Sequence, residues 1–200
     1  MKNWHACWLL VALAFSIGCG KEERREATTF YQVLNQKKAD LAAINALEKD
    51  LLGSTAAWCQ GIISNGAGKG KDLAENAASA KQLAQSASAV AGQLGHVRQS
   101  IYDQPLKQEY PQEVRSALIN QISERQRMLQ HVTAALQASA DGFLQSANSR
   151  GYAGDTYPAA IDQLNTLVAN YRGPEDAVGK AIEELRVKYD LPAAGSPGKT

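Results

Sequence analysis

Two stretches of the chain combine glycine with lysine, the residue types that hold phosphate groups in nucleotide-binding loops. Residues 193–200 read AAGSPGKT and satisfy a relaxed phosphate-loop pattern, whereas residues 66–72 read GAGKGKD, with different spacing and no hydroxyl side chain after a lysine. Such a loop works between a strand and a helix whose N-terminus binds the phosphate. The sequence has no strand pattern, so we expect flexible loops here and neither a nucleotide nor any other cofactor.

Metal and hydrolase chemistry also have little support in the sequence. Beyond residue 18 the histidines are His96 and His131, and neither a Cys-x-x-Cys-His nor a Glu-x-x-His motif is present. Each histidine comes two positions after an apolar helical position, so both are expected to face solvent. Serines are plentiful, but no strand-to-helix turn presents one as a nucleophile. We therefore expect no metal site and no catalytic residue, and predict that the protein is not an enzyme.

The charge balance and the cysteines exclude two further classes. The formal net charge is +1, and removing residues 1–18 takes away Lys2 and brings it to zero. A neutral domain without a basic stretch lacks the electrostatic footprint of a nucleic-acid-binding protein. Apart from Cys19, only Cys59 would remain, which excludes an intramolecular disulfide framework. Burial is the expected state of Cys59, with an exposed, reactive or pairing thiol as the alternative.

The beginning of the chain reads as an export signal that ends at a cysteine. Lys2 precedes an apolar run from Trp4 to Ile17, which is shorter than the roughly 20 residues of a spanning helix. Ser16 and Ile17 end this run, and Gly18 and Cys19 follow it. The four residues Ser16-Ile17-Gly18-Cys19 resemble the lipobox of bacterial lipoprotein precursors. The resemblance implies that residues 1–18 are a removed signal peptide and that Cys19 is the lipid attachment site.

The same resemblance implies a location. It covers residues 1–20 only, and Ser16 and Ile17 depart from the commonest lipobox pattern, which has Leu and then Ala or Ser. Gly20 stands where Asp would suggest retention in the inner membrane, so we expect a lipid anchor in the outer membrane with the domain facing the periplasm. Plain secretion and a retained anchor are the alternatives. Residues 19–26 are rich in charge and would form a solvated tether, the charged first turn of a helix, or both.

Apolar residues recur at helical spacing through the rest of the chain, which predicts an all-α domain over residues 27–190. Four arms are expected at 27–64, 72–103, 111–149 and 156–190, with a break in the last one at Gly173-Pro174. Near-equal arms joined by short loops are typical of an antiparallel up-down-up-down four-helix bundle, here with a broken fourth arm. A three-helix bundle with two short C-terminal helices is the alternative. Residues 191–200 are small and polar, as in a disordered tail.

Regular stripes support these arms. Leu94 lies on the most regular one, together with Val90 and Val97, and this spacing is coiled-coil-like. The third arm carries a similar stripe, on which Arg125 and Ser139 also fall. In the first arm, the spacing places Leu47 on the apolar face with Ile44 and Leu51.

In such a bundle, the loops after the first and third arms share the end remote from the lipid. That end gathers four candidate partner-binding residues: Lys69, Lys71, Arg150 and Tyr152. Binding residues often lie on loops held by a rigid scaffold. The predicted function is that of a lipid-anchored structural or accessory interaction protein of the cell envelope, with an envelope protein or cell-wall carboxylates as the partner. The alternative is a helical bundle that binds a small ligand, as a sensor or carrier.

Overall fold

The computed structural model describes the backbone of residues 4–67, 71–148, 156–171 and 176–193, and the side chains of 20–67, 71–148, 159–171 and 176–193. All regular secondary structure in these ranges is helical, which confirms the predicted all-α class. The helices are α1 (Trp4–Asn65), α2 (Lys71–Tyr102), α3 (Glu109–Asn148), α4 (Thr156–Ala169) and α5 (Ala177–Tyr189). None of them, over the described residues, combines the length and the apolar character that a membrane span requires.

Local signals explain where several helices end. Gly66 follows α1 with φ 73°, a left-handed conformation that glycine adopts without steric cost. Asp176 caps α5, since its Oδ1 accepts a hydrogen bond of 2.8 Å from the backbone N–H of Gly179. In contrast, α1 continues without a break through Gly53-Ser54. Leu51, Leu52 and Thr55 are buried around that point, and their packing offsets the cost of about 1 kcal/mol for a mid-helix glycine.

The chain divides into two compact units. Unit 1 comprises Met1–Ala39, Ser100–Ile119 and Asp176–Thr200, and unit 2 comprises Asp40–Gln99 and Asn120–Glu175. Each has an apolar core of its own. The largest fully buried side chains are Phe30, Leu34, Ile101 and Leu185 in unit 1, and Leu94, Leu129, Val132, Leu136, Phe143, Ile161 and Leu164 in unit 2.

In unit 1, the charged segment after Cys19 is helical and bonded to other parts of the unit. Glu26 accepts hydrogen bonds from the backbone N–H groups of Lys107 and Gln108, both 2.8 Å. Glu23 accepts one of 2.5 Å from the hydroxyl of Tyr189. Residues 20–26, whose side chains are described, are therefore part of helix α1. Ordered contacts also extend past residue 190, because Leu191 is buried and the carbonyl of Pro192 accepts a hydrogen bond from Tyr31.

In unit 2, α1 contacts both α3 and α4. Trp58 packs edge-to-face against Phe143 of α3, with ring centroids 5.9 Å apart, and its buried indole Nε1 has no hydrogen-bond acceptor. Gln60 donates a hydrogen bond of 3.3 Å to Asn165 of α4. Cys59, next to the tryptophan, is fully buried, as expected. Burial raises the pKa of its thiol to about 11, so the thiol is protonated and unreactive at neutral pH.

Candidate functional site

A buried cluster of polar side chains lies in the core of unit 2. Glu48 of α1 is fully buried and forms an ion pair with Arg125 of α3, whose side chain is 15% exposed. Both Nε and Nη2 of Arg125 donate to Oε2 of Glu48, and Nη2 also donates to Oδ1 of Asn45 at 2.6 Å. The other carboxylate oxygen, Oε1, accepts a hydrogen bond from the hydroxyl of Tyr171. Both oxygens of the buried carboxylate are thus occupied by donors, as burial of a charge requires.

The helical repeat explains how these four residues meet. Leu41, Ile44, Leu51 and Thr55 are buried along α1, and Glu48 follows the same three-four spacing. Arg125 lies on the apolar stripe of α3, where the sequence placed it. Tyr171 stands just after α4, held by a backbone hydrogen bond of 3.2 Å from its N–H to the carbonyl of Val168. Asn45 precedes Glu48 by three residues and so shares its side of α1.

Sequence reasoning assigned Leu47 to this inner face and overlooked Glu48. In the structure the positions are exchanged, since Leu47 is 48% exposed and Glu48 is fully buried. The missed signal was a pair of opposite charges on two helical stripes, Glu48 on the first and Arg125 on the third. Such a pair can be buried together where either residue alone could not.

Tyr171 is the member of the cluster with the clearest electrostatic perturbation. Burial raises the pKa of its hydroxyl above the ordinary value, and the hydrogen bond to Glu48 raises it further, while Arg125 opposes the shift. The hydroxyl is therefore a permanent donor at neutral pH. The cluster therefore joins an ion pair and a tyrosine hydroxyl through hydrogen bonds between α1, α3 and the segment just after α4.

An open groove of about 640 Å³ adjoins this cluster. Asn45 and Tyr171 belong both to the cluster and to the wall of the groove. The groove follows one side of α1 and the end of α4, and its lining is mostly apolar: Asn45, Ala46, Lys49, Leu52, Gly53, Ala56, Val168 and Tyr171. Among the described lining residues, Lys49 is the one with an ionisable basic side chain. This groove is the candidate site, because it joins concave apolar surface to a few fixed polar groups.

A second groove in unit 2 differs in character. It has about 480 Å³ and lies between α1 and α2, with Leu47, Leu83 and Val90 interleaved with Ser54, Ser79 and Ser86. Apart from Asp50, its lining residues carry no charge. It offers an apolar strip with hydroxyl groups but no cluster of fixed donors.

Unit 1 contains an aromatic cluster beside a third groove. The Nζ atom of Lys188 lies 3.1 Å from the centroid of the Tyr110 ring, and the rings of Tyr110 and Tyr189 meet edge-to-face at 6.1 Å. Burial raises the pKa of Tyr189, and its hydrogen bond to Glu23 adds to the shift. The groove, of about 730 Å³, is lined by Tyr110 and Lys188 together with α5 residues that include Glu183 and Glu184. Since Lys188 already occupies the Tyr110 ring, this cluster packs against itself.

The structure reaches only part of the predicted site. Lys69, Arg150 and Tyr152 lie outside the described residues, as does the side chain of Cys19. Lys71 is described: it begins α2, is 88% exposed and forms an ion pair of 3.5 Å with Glu75. The proposed gathering of the four partner-binding residues and the lipid attachment therefore stay predictions. His96 and His131 are exposed, as expected.

Metal binding has no support among the described side chains, where no group of three or more His, Cys, Asp or Glu residues could hold an ion. Comparisons with protein-family models, with curated proteins and with solved structures found no match to this chain.

Proposed function

We propose that this protein is a lipid-anchored accessory interaction protein of the bacterial cell envelope, facing the periplasm from the outer membrane. The observation that carries the proposal is the segment Ser16-Ile17-Gly18-Cys19 behind a short apolar run. Three acyl chains on one cysteine would hold the protein stably at a bilayer, where one chain holds only marginally. The all-helical chain after this segment is suited to presenting surfaces rather than reacting groups.

Acylation is tested directly at Cys19. Cells expressing the chain are fed an alkyne-bearing palmitate, and the label on the purified protein is measured. We expect strong labelling of the wild type, and no labelling and an uncleaved precursor for Cys19→Ala. Cys59→Ala, which removes the buried thiol, serves as the control and should label like the wild type. Equal labelling of the Cys19→Ala variant would overturn the lipid anchor.

We further propose that the helices form an up-down-up-down bundle. Two sets of contacts within unit 2 support it. From Glu48 to Gln60, the partners change from Tyr171, just after α4, back to Asn165 of α4, as in an antiparallel pair. From Glu48 to Trp58, the partners on α3 advance from Arg125 to Phe143, as in a parallel pair. These are the directions that the up-down order requires of its first, third and fourth helices.

The proposed arrangement can be tested through the positions of two loops. If the order is up-down-up-down, residues 69 and 152 belong to loops at the same end. Cysteines introduced at both positions in a Cys59→Ala background should crosslink with a short bifunctional reagent. Cysteines at 69 and 105 provide the control, since the loop around Pro105 belongs to the opposite end. Efficient crosslinking of the control pair and none of the first would exclude the arrangement.

The proposed partner surface is this same end, where Lys69, Lys71, Arg150 and Tyr152 would meet an acidic protein surface or cell-wall carboxylates. Replacing Lys69, Lys71 and Arg150 with Glu should abolish recovery of the partner from native membranes while the helical circular dichroism is unchanged. The matched control reverses the same number of charges at the exposed residues Lys38, Lys81 and Arg127. Recovery of the same proteins by wild type and both variants would refute the proposed surface.

One observation favours the alternative, a bundle that binds a small ligand. The groove beside the Glu48 cluster, at about 640 Å³, exceeds the roughly 300 Å³ at which ligand pockets begin. It opens to solvent along α1, unlike an enclosed core cavity, so its ligand would lie against the helices and not between them.

A further inference from the structure

The groove beside the Glu48 cluster presents two hydrogen-bond donors that no group among the described residues uses. Arg125 can only donate, so the amide oxygen of Asn45 must face it. This leaves the Nδ2 group of Asn45 as a donor without a partner among the described residues. Lys49 lies one helical turn further along α1, on the same groove wall. It is exposed and has no ion pair within the described part of the chain.

Both donors favour an anionic ligand group. An amide N–H and an ammonium group separated by one helical turn can donate together to the two oxygens of a carboxylate. The nearest buried acid, Glu48, does not compete for them, because its oxygens are occupied by Arg125 and Tyr171. Lys49 therefore gives this end of the groove a positive charge that no acidic residue of the described lining neutralises.

The remainder of the described groove lining is apolar. From Lys49 to Ala56 it follows α1 for about 10 Å at 1.5 Å per residue, the length of an extended acyl chain of about eight carbons. Leu52, Ala56 and Val168 line this part. At Gly53 the position of a Cβ atom has nothing within 4 Å, so the glycine leaves open space on the groove wall at a cost in helix stability.

We propose that this groove binds a single-chain carboxylate amphiphile, a fatty acid of medium length, with the carboxylate at Asn45 and Lys49 and the acyl chain along Leu52, Gly53, Ala56 and Val168. The inference rests on the alternative function, ligand binding, and names the ligand class for it. Lys49 and Asn45 select the anionic head group, and the small residues admit the chain.

Photolabelling of the full-length protein in isolated membranes tests the proposal. The probes are decanoate carrying a diazirine and an alkyne, and the decanol with the same two groups. Crosslinked peptides are identified by mass spectrometry. We expect the acid to label α1 between Asn45 and Ala56 and the end of α4, at least about tenfold more than the alcohol, because the alcohol loses the charge-assisted hydrogen bonds.

Two variants with matched controls locate the site. Gly53→Leu fills the groove and favours the helix, so loss of labelling cannot be assigned to unfolding; Gly61→Leu, at another open glycine of α1, should label like the wild type. Lys49→Glu should lower labelling by the acid about tenfold or more, whereas Lys38→Glu should not.

The outcomes distinguish two parts of the proposal: that the groove binds a ligand, and that the ligand carries a carboxylate. Equal labelling by acid and alcohol, both lost in Gly53→Leu, would retain ligand binding and overturn the carboxylate. Labelling of the groove that survives Gly53→Leu, or no labelling of this segment by either probe, would overturn the site itself. None of these results bears on recovery of a protein partner, which tests the accessory function separately.

Discussion

Each unit joins a tyrosine hydroxyl to a glutamate of α1, but the two pairs stand in different surroundings. In unit 2, Tyr171 donates to Glu48, which is fully buried and also paired with Arg125. In unit 1, Tyr189 donates to Glu23, and both residues are half-buried. Tyr171 follows the end of α4, and Tyr189 is the last residue of α5. Each tyrosine therefore links the C-terminal end of its helix to α1 by a hydrogen bond.

The difference shows that burial determines how much one hydrogen bond contributes to the free energy of unfolding. A carboxylate that reaches water loses little when a protein donor is removed, because water replaces it. A buried carboxylate has no such replacement, so the same deletion leaves a charge or an acceptor unsatisfied. We therefore expect the pair in unit 2 to be far more sensitive to substitution, although the chemical groups are the same.

The largest effect is expected from breaking the buried ion pair. Glu48→Leu leaves Arg125 in the core without its partner, which should lower the free energy of unfolding by about 3–5 kcal/mol. Urea unfolding followed by far-ultraviolet circular dichroism measures this. The double variant Glu48→Leu/Arg125→Leu replaces both charges with apolar groups and should recover most of the loss. If the double variant is as unstable as the single one, the loss comes from the missing interaction between Glu48 and Arg125. It would then not come from leaving Arg125 buried without a partner.

A purely apolar position gives the scale for this comparison. Leu94 is fully buried in unit 2, and Leu94→Ala should cost about 2–5 kcal/mol through lost contacts and the remaining cavity. His96, two residues further along the same helix, is exposed, and His96→Ala should cost less than about 0.5 kcal/mol. Urea midpoints of both variants check the register of α2, which a larger cost at His96 would contradict.

Alkaline pH should weaken the fold through groups in both units. Burial holds the pKa of Cys59 at about 11, above its value in the unfolded chain, and the pKa values of Tyr171 and Tyr189 are also raised. The folded state therefore keeps protons that the unfolded state has lost, and stability falls as pH rises. Between about pH 9 and 11 the thiol alone should account for about 2 kcal/mol. Cys59→Ala should flatten the decline measured by urea unfolding at several pH values, and an unchanged slope would assign it to the tyrosines.

The smallest effects compare the two tyrosines directly. Tyr171→Phe removes the donor to a buried oxygen and should cost about 1–3 kcal/mol, whereas Tyr189→Phe should cost less than about 1 kcal/mol. Both substitutions remove one hydroxyl and keep the ring, so each serves as the control for the other. Equal urea midpoints would show that the cost of losing the hydroxyl does not depend on the burial of its glutamate partner.

The sequence predicted the helices well because their signals are local. Apolar spacing predicted the arms, and Gly66 follows the end of α1. The break predicted at Gly173-Pro174 lies outside the described residues and stays a prediction. The buried position of Leu94 and the exposure of His96 followed from the same spacing. Glu48 was missed because its burial depends on Arg125, which is distant in sequence and enters the core only through packing. The groove was beyond sequence reasoning for the same reason, since Asn45 and Val168 become neighbours only when α1 and α4 meet.

The unpartnered indole of Trp58 has an optical consequence. In a chain cleaved before Cys19, Trp4 and Trp8 are lost and Trp58 is the one tryptophan left. Its ring is packed against Phe143 and its N–H has no acceptor, so its emission should be displaced to shorter wavelength until unit 2 opens. Unit 1 then contains tyrosines but no tryptophan. Fluorescence excited selectively at the indole would therefore report on unit 2 alone, and comparison with circular dichroism would show whether the two units unfold together.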